Sequence, residues 1–172
     1  MNRHRLVLLR HAKAEHAGAV VDHDRPLALV GRRQSSTVGA NLVHADLVPE
    51  HVLCSSSLRT RQTWDLVRTA LGVAGATQPA VTVTDELYDA GTGEVIELVR
   101  AVPDDVRTLL VVGHEPTVSH VAATLAGPAS DEAAVARVRI GVPTAAWCVL
   151  EVDGAWADLA AGTARLTGVE TP

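Results

Sequence analysis

The sequence predicts an α/β fold, a three-layer α/β/α sandwich around a mostly parallel central sheet, and three observations carry that expectation. Short apolar runs alternate with segments of helical spacing through most of the 172 residues, the pattern of helices packed on a sheet. Hydrophobic residues make up 47% of the chain, yet there is no Phe, one Tyr and three Trp. The core must therefore be built from Ala, Val and Leu, small residues that suit a sheet covered by helices. Finally, three apolar runs each end in cationic or imidazole-bearing residues followed by a helix: Arg10-His11, Ser57-Leu58-Arg59-Thr60-Arg61 and Gly113-His114-Glu115. In open α/β sheets, that end of a strand is where ligands bind.

Taken in order, the first strand covers Arg5 to Leu9, and a His/Asp-rich polar loop runs on through Pro26. A helix is expected from about Gly31 to Val43, then a short strand at Val52-Leu53-Cys54. Ser55-Ser56-Ser57 supplies N-cap hydroxyls for a helix through Leu71, which Gly72 and Gly75 stop. Val81 to Thr84 alternates as a strand, Glu94 to Val102 has helical spacing, and Pro103-Asp104-Asp105 turns the chain into a buried strand at Thr108 to Val112. His114-Glu115-Pro116-Thr117 opens a helix to about Leu125, with proline in the first turn, where its missing N–H is harmless. Val135 to Ile140, Ala145 to Val152 and Trp156 to Leu166 all read as strands, with a hairpin at Asp153-Gly154 and a frayed tail over Gly168 to Pro172.

The length fits one domain, and no repeat or low-complexity linker divides it. A formal net charge of −5 argues against nucleic acid or an anionic membrane as partner, because both need a dominant positive field. Lys13, the only lysine, lies beside the first motif, so a local cationic pocket in an acidic protein is expected. Cys54 and Cys148 lack metal-type spacing and fall in apolar runs. They read as structural thiols, and no apolar run is long enough to span a bilayer. A cytoplasmic protein is the expectation. Trp64, Trp147 and Trp156 read as core residues.

If the three strands are parallel neighbours, their tips bring two histidines and at least two arginines to one sheet edge. That set fits a phosphoryl group. Guanidinium presents a planar fork matched to phosphate oxygens and stays charged, while a neutral imidazole can attack phosphorus. Flanking guanidinium groups disfavour the imidazolium, which keeps His11 nucleophilic. They would also repel a divalent cation, so no metal and no cofactor are expected.

With Leu9-Arg10-His11-Ala12-Lys13, Asp24-Arg25-Pro26-Leu27, Ser57-Leu58-Arg59-Thr60-Arg61-Gln62-Thr63, Asp85-Glu86-Leu87-Tyr88 and Val112-Gly113-His114-Glu115-Pro116 in that order, the chain resembles the histidine phosphatase superfamily. It does so in the branch with Arg-His-Ala, and it is similar to phosphohistidine phosphatases of the SixA type. The resemblance implies a phosphoglycerate mutase-like fold and a metal-independent reaction in which His11 is transiently phosphorylated. Arg10, Arg59 and His114 would hold the phosphoryl oxygens. The family's proton donor lies in the segment matching Asp85 to Tyr88, where Glu86 is the preferred candidate, although a phosphohistidine substrate needs no strong donor. Lys13, Arg25 and Glu115 are candidates for substrate binding. Glu115 stands where this branch commonly carries an amide, and a structural part in the first helical turn is the favoured reading for it. The implied partner is a phosphorylated protein or a small phosphate ester, with inorganic phosphate or sulfate able to occupy the pocket. A mutase, a non-catalytic phosphate-binding module and a metal hydrolase are the rivals.

Overall fold

The structure, a computed structural model, describes residues 3–172. Six strands form one sheet: β1 (Arg3–Arg10), β2 (His51–Ser55), β3 (Ala80–Thr84), β4 (Thr108–Gly113), β5 (Trp147–Asp153) and β6 (Ala164–Glu170). Their spatial order is β3-β2-β4-β1-β5-β6. β1, β2, β3 and β4 are mutually parallel, while β5 runs antiparallel to both β1 and β6. The expected α/β architecture is the one observed. β1 and β4 lie at the centre, where both faces are covered, which is why Leu6 to Leu9 and Leu109 to Val112 are continuous apolar runs with no alternation.

Strand periodicity splits the core in two. Leu6, Leu8, Leu109 and Val111 face α3 (Thr92–Arg100), α4 (Thr117–Leu125) and α5 (Glu132–Ile140). Val7, Leu9, Leu110 and Val112 face α1 (Leu29–His44) and α2 (Leu58–Val73). α1 and α2 pack closely because Gly39 is bare: a Cβ there would stand 2.6 Å from the Ala70 Cβ and 2.7 Å from the Val67 carbonyl. Trp64, Trp147 and Trp156 are buried, as are the two free cysteines.

Four expectations from the final third and the α2 cap need correction. Val135 to Ile140 belongs to α5, not to a strand. The Asp131 side chain caps that helix by accepting from the Ala134 amide at 2.8 Å, and Ala134 and Val138 share its buried face, so capping and packing outweigh a short alternating pattern. The chain does reverse at Gly154 (φ +91°), but β6 begins only at Ala164. The intervening residues carry fully buried Trp156, whose indole N–H donates to the Val106 carbonyl at 2.8 Å; a large side chain anchored in the core replaces a tight hairpin. Gly168 to Glu170 do not fray, because β6 extends through them and Trp147 pairs with Glu170. Ser57 holds the N-cap position of α2, but its hydroxyl meets Thr60 Oγ1 at 2.7 Å instead of a first-turn amide.

Candidate active site

Parallel pairing places the ends of β2, β4 and β1 side by side, with Arg10 opposite Gly113 and Cys54 opposite Val112. The chain leaves β1 with the His11 amide donating to the Gly113 carbonyl at 3.0 Å, so both histidine-bearing segments begin at one level. Arg59 enters from the first turn of α2. The resulting cleft has a volume of about 390 Å³, and Arg10, His11, Lys13, Arg25, Arg59, His114 and Glu115 all line it. A larger concavity of about 460 Å³ lies by β6, but its arginine, Arg5, is already bound to Asp46.

His11 is only 8% exposed. Its Nδ1 lies 2.8 Å from the Ala12 carbonyl, which can only accept, so Nδ1 carries the proton and Nε2 keeps the lone pair. Its pKa is lowered to about 4, chiefly by burial, with Arg59, Arg10 and Arg25 adding to the shift. The arginines therefore contribute as expected, but desolvation is the larger cause. His114 is lowered to about 3, again mainly by burial, then by His11 and Arg59. The two rings lie 5.4 Å apart, and Ser55 Oγ meets His114 Nε2 at 2.8 Å. Both imidazoles are thus neutral at ordinary pH and held in fixed orientations.

The arginines are held by neighbouring acceptors. Arg10 Nη1 donates to the Val142 carbonyl at 2.7 Å. Arg59, 6% exposed, donates from Nη1 to the Asp22 carbonyl at 2.7 Å and from Nη2 to the Asp22 carboxylate at 2.9 Å. Arg25 pairs with the other Asp22 oxygen at 3.0 Å. The Nε atoms of Arg10, Arg25 and Arg59 are buried without a hydrogen-bond partner, three of only four such side-chain atoms among the described residues. Three guanidinium groups lining one cleft give it the positive field that an anion requires.

Lys13 and Arg25 stand on the cleft wall, and Lys13 is exposed. Glu115 does too, but its carboxylate is spent on structure, accepting from the Val142 amide at 3.0 Å and from the Ser119 amide at 3.3 Å. Glu86 does not reach the cleft. It is exposed on a 3-10 turn (Asp85–Leu87) that is anchored by buried Leu87, and the wall there is formed by Tyr88 and Asp89. With three residues per turn, only one side of that segment can face the site. His23 holds Ser56 Oγ at 3.0 Å and packs edge-on against Tyr88.

Sequence reasoning did not single out Asp22, Ser55, Tyr88 or Asp89 as site residues. Asp22 lay in the polar loop and Tyr88 in a recognised motif, but no spacing rule links Asp22 to Arg59 across 37 residues. Among the described residues no group of three or more His, Cys, Asp or Glu could hold a metal ion, and no helix is long and apolar enough to cross a membrane.

Comparison with known proteins agrees with this geometry. The family model of the histidine phosphatase superfamily (branch 1) matches residues 6–101. The chain belongs to the histidine phosphatase superfamily. It is a phosphatase by that membership, with the phosphoglycerate mutase-like fold of the superfamily. An uncharacterized protein of Mycobacterium tuberculosis is 43% identical, covering 95% of this chain and 99% of its own length. A Nakamurella multipartitia structure provisionally named phosphohistidine phosphatase SixA is 36% identical, covers 100% of this chain and 98% of its own, and superposes with a TM-score of 0.83. A similarly named Agrobacterium tumefaciens structure is 26% identical with a TM-score of 0.78, covering 98% of this chain and 99% of its own.

Proposed function

We propose that this phosphatase removes the phosphoryl group from phosphohistidine carried on a protein, through a phosphorylated His11. The neutral Nε2 of His11 attacks phosphorus and the N–P bond of the substrate breaks. The leaving imidazole takes up a proton from solvent, and water then attacks phosphorus, breaks the His11–phosphorus bond and releases phosphate. Arg10, Arg59 and His114 hold the phosphoryl oxygens through both steps, and charge stabilisation of this kind supplies most of the barrier reduction in phosphoryl transfer. The single observation that carries the reading is the fixed His11 tautomer in a cleft that three arginines also line. The protein-borne substrate is supported by the small, polar cleft and by the names given to the similar Nakamurella and Agrobacterium structures. Lys13 and Arg25 contact the substrate at the rim, and inorganic phosphate or sulfate fits the same position. No cofactor or metal takes part. A single-domain, cytoplasmic enzyme accompanies this reading; the shared sheet supports the first and two free, buried cysteines the second.

The test is phosphate release from a phosphohistidine-carrying protein by wild type and by His11→Ala. Release by wild type alone is expected. Equal inactivity of both, with turnover of sugar or nucleotide phosphates by wild type, would replace the protein substrate with a small phosphate ester.

A further inference from the structure

Asp22 is the most heavily engaged residue at the cleft mouth, although its side chain is about half exposed. Its backbone carbonyl and one carboxylate oxygen cap the two terminal nitrogens of Arg59. The same carboxylate oxygen accepts from the Tyr88 hydroxyl at 2.8 Å, and the other meets Arg25 at 3.0 Å. The end-on edge of the Arg59 fork is therefore occupied by Asp22. On the side-on edge Nε is buried, and Nη2 lies 3.5 Å from His114 Nδ1. Asp22 thus selects which edge of Arg59 faces the histidine pair. It is also an anion seated on the guanidinium that must receive a phosphoryl group.

Resting on the phosphatase reading above, we propose that Asp22 is a positioning residue with two opposed effects. It aligns Arg59 for catalysis, and by occupying part of that cation's field it limits the affinity of the cleft for phosphate, so that product leaves. The Tyr88 hydroxyl, and then the arginines, hold the Asp22 carboxyl below its ordinary pKa, so the negative charge persists through the working pH range. An interaction that tightens substrate, transition state and product equally would lower KM without raising kcat. Weakening ground-state attraction while fixing geometry does the reverse.

The experiment compares wild type, Asp22→Asn and a charge control at an exposed distant turn, Asp105→Asn. Inorganic phosphate affinity, read as the product-inhibition constant, and steady-state kcat are both measured, with thermal unfolding to confirm the fold. Removing one charge from the cleft is expected to tighten inorganic phosphate about tenfold while kcat falls about tenfold. The control should match wild type in both. A merely structural role would weaken phosphate binding and turnover together, and that result overturns the inference, as does unchanged phosphate affinity. Should the amide variant fail to fold, Asp22→Ser is read in the same way. Wild type that neither binds inorganic phosphate nor releases it from substrate would instead overturn the function proposed above, and this inference with it.

Discussion

At the scale of single residues, the decisive feature is a histidine whose two nitrogens have different jobs. Nδ1 of His11 is committed to the Ala12 carbonyl, so Nε2 alone keeps a lone pair for the proposed attack. His11→Ala should therefore lose kcat by a factor on the order of 10³ or more while retaining measurable vanadate binding through Arg10 and Arg59. Single-turnover phosphate release and vanadate titration check the two halves separately. Protonation removes the lone pair, so activity declines as pH falls through the His11 pKa. That value is lowered to about 4, so the acid limb of kcat/KM is expected near pH 4 and not near the ordinary 6.5. An acid limb centred at 6.5 would contradict the burial argument. The same site shows how far residue-level reading reached: Arg10, His11, Arg59 and His114 were legible because each follows an apolar strand. Glu86 lies exposed outside the cleft lining, on a 3-10 turn whose buried residue is Leu87, a placement not visible in spacing.

At the scale of elements, the loop carrying His11, the proposed nucleophile, is held by the N-terminal end of α1. The Ala28 amide donates to the Lys13 carbonyl at 2.9 Å, and a Cβ on Gly31 would stand 2.0 Å from that same oxygen. Gly31→Ala gains about 1 kcal/mol of helix propensity. Its clash is with backbone and cannot be relieved by a rotamer change, so overpacking of about 1–3 kcal/mol should prevail. The expected result is a Tm lower by roughly 2–4 °C for each kcal/mol, with a larger proportional loss of kcat because the displaced loop carries His11. Circular dichroism melting and steady-state kinetics decide this, and a variant with raised Tm and full activity would show that α1 can move away freely. The strands were readable because continuous apolar runs mark a sheet covered on both faces. α5 was not, because its nine residues alternate enough to resemble a strand and only the Asp131 cap and the packing partners separate the two.

At the scale of the whole molecule, burying two neutral histidines couples folding to pH. The folded pKa values are about 4 for His11 and about 3 for His114, against an ordinary 6.5. Below pH 6.5 the unfolded chain binds protons that the folded site refuses, so this stability is fully present above pH 6.5 and is lost as pH falls towards 4 and 3. Tm should drop over that interval, and the slope should be shallower in a His11→Asn, His114→Asn variant; identical slopes would refute the assignment. Metal dependence is also a property of the whole enzyme. A cleft ringed by guanidinium groups repels divalent cations, so exhaustive chelation is expected to leave phosphate release unchanged, and activity restored only by an added metal would reverse that expectation.

The sequence alone determined the α/β class, the order of the first four strands along the chain and the four residues proposed to handle the phosphoryl group. Local patterns suffice for these, because apolar runs report burial and the chemistry sits where each run stops. Tertiary structure decided what spacing cannot encode: the start of β6 only at Ala164, after buried Trp156, the placement of Glu86 outside the cleft lining, and the seating of Asp22 on Arg59. Each depends on contacts between distant segments, whose energies follow from burial and geometry in three dimensions and leave no periodic trace along the chain.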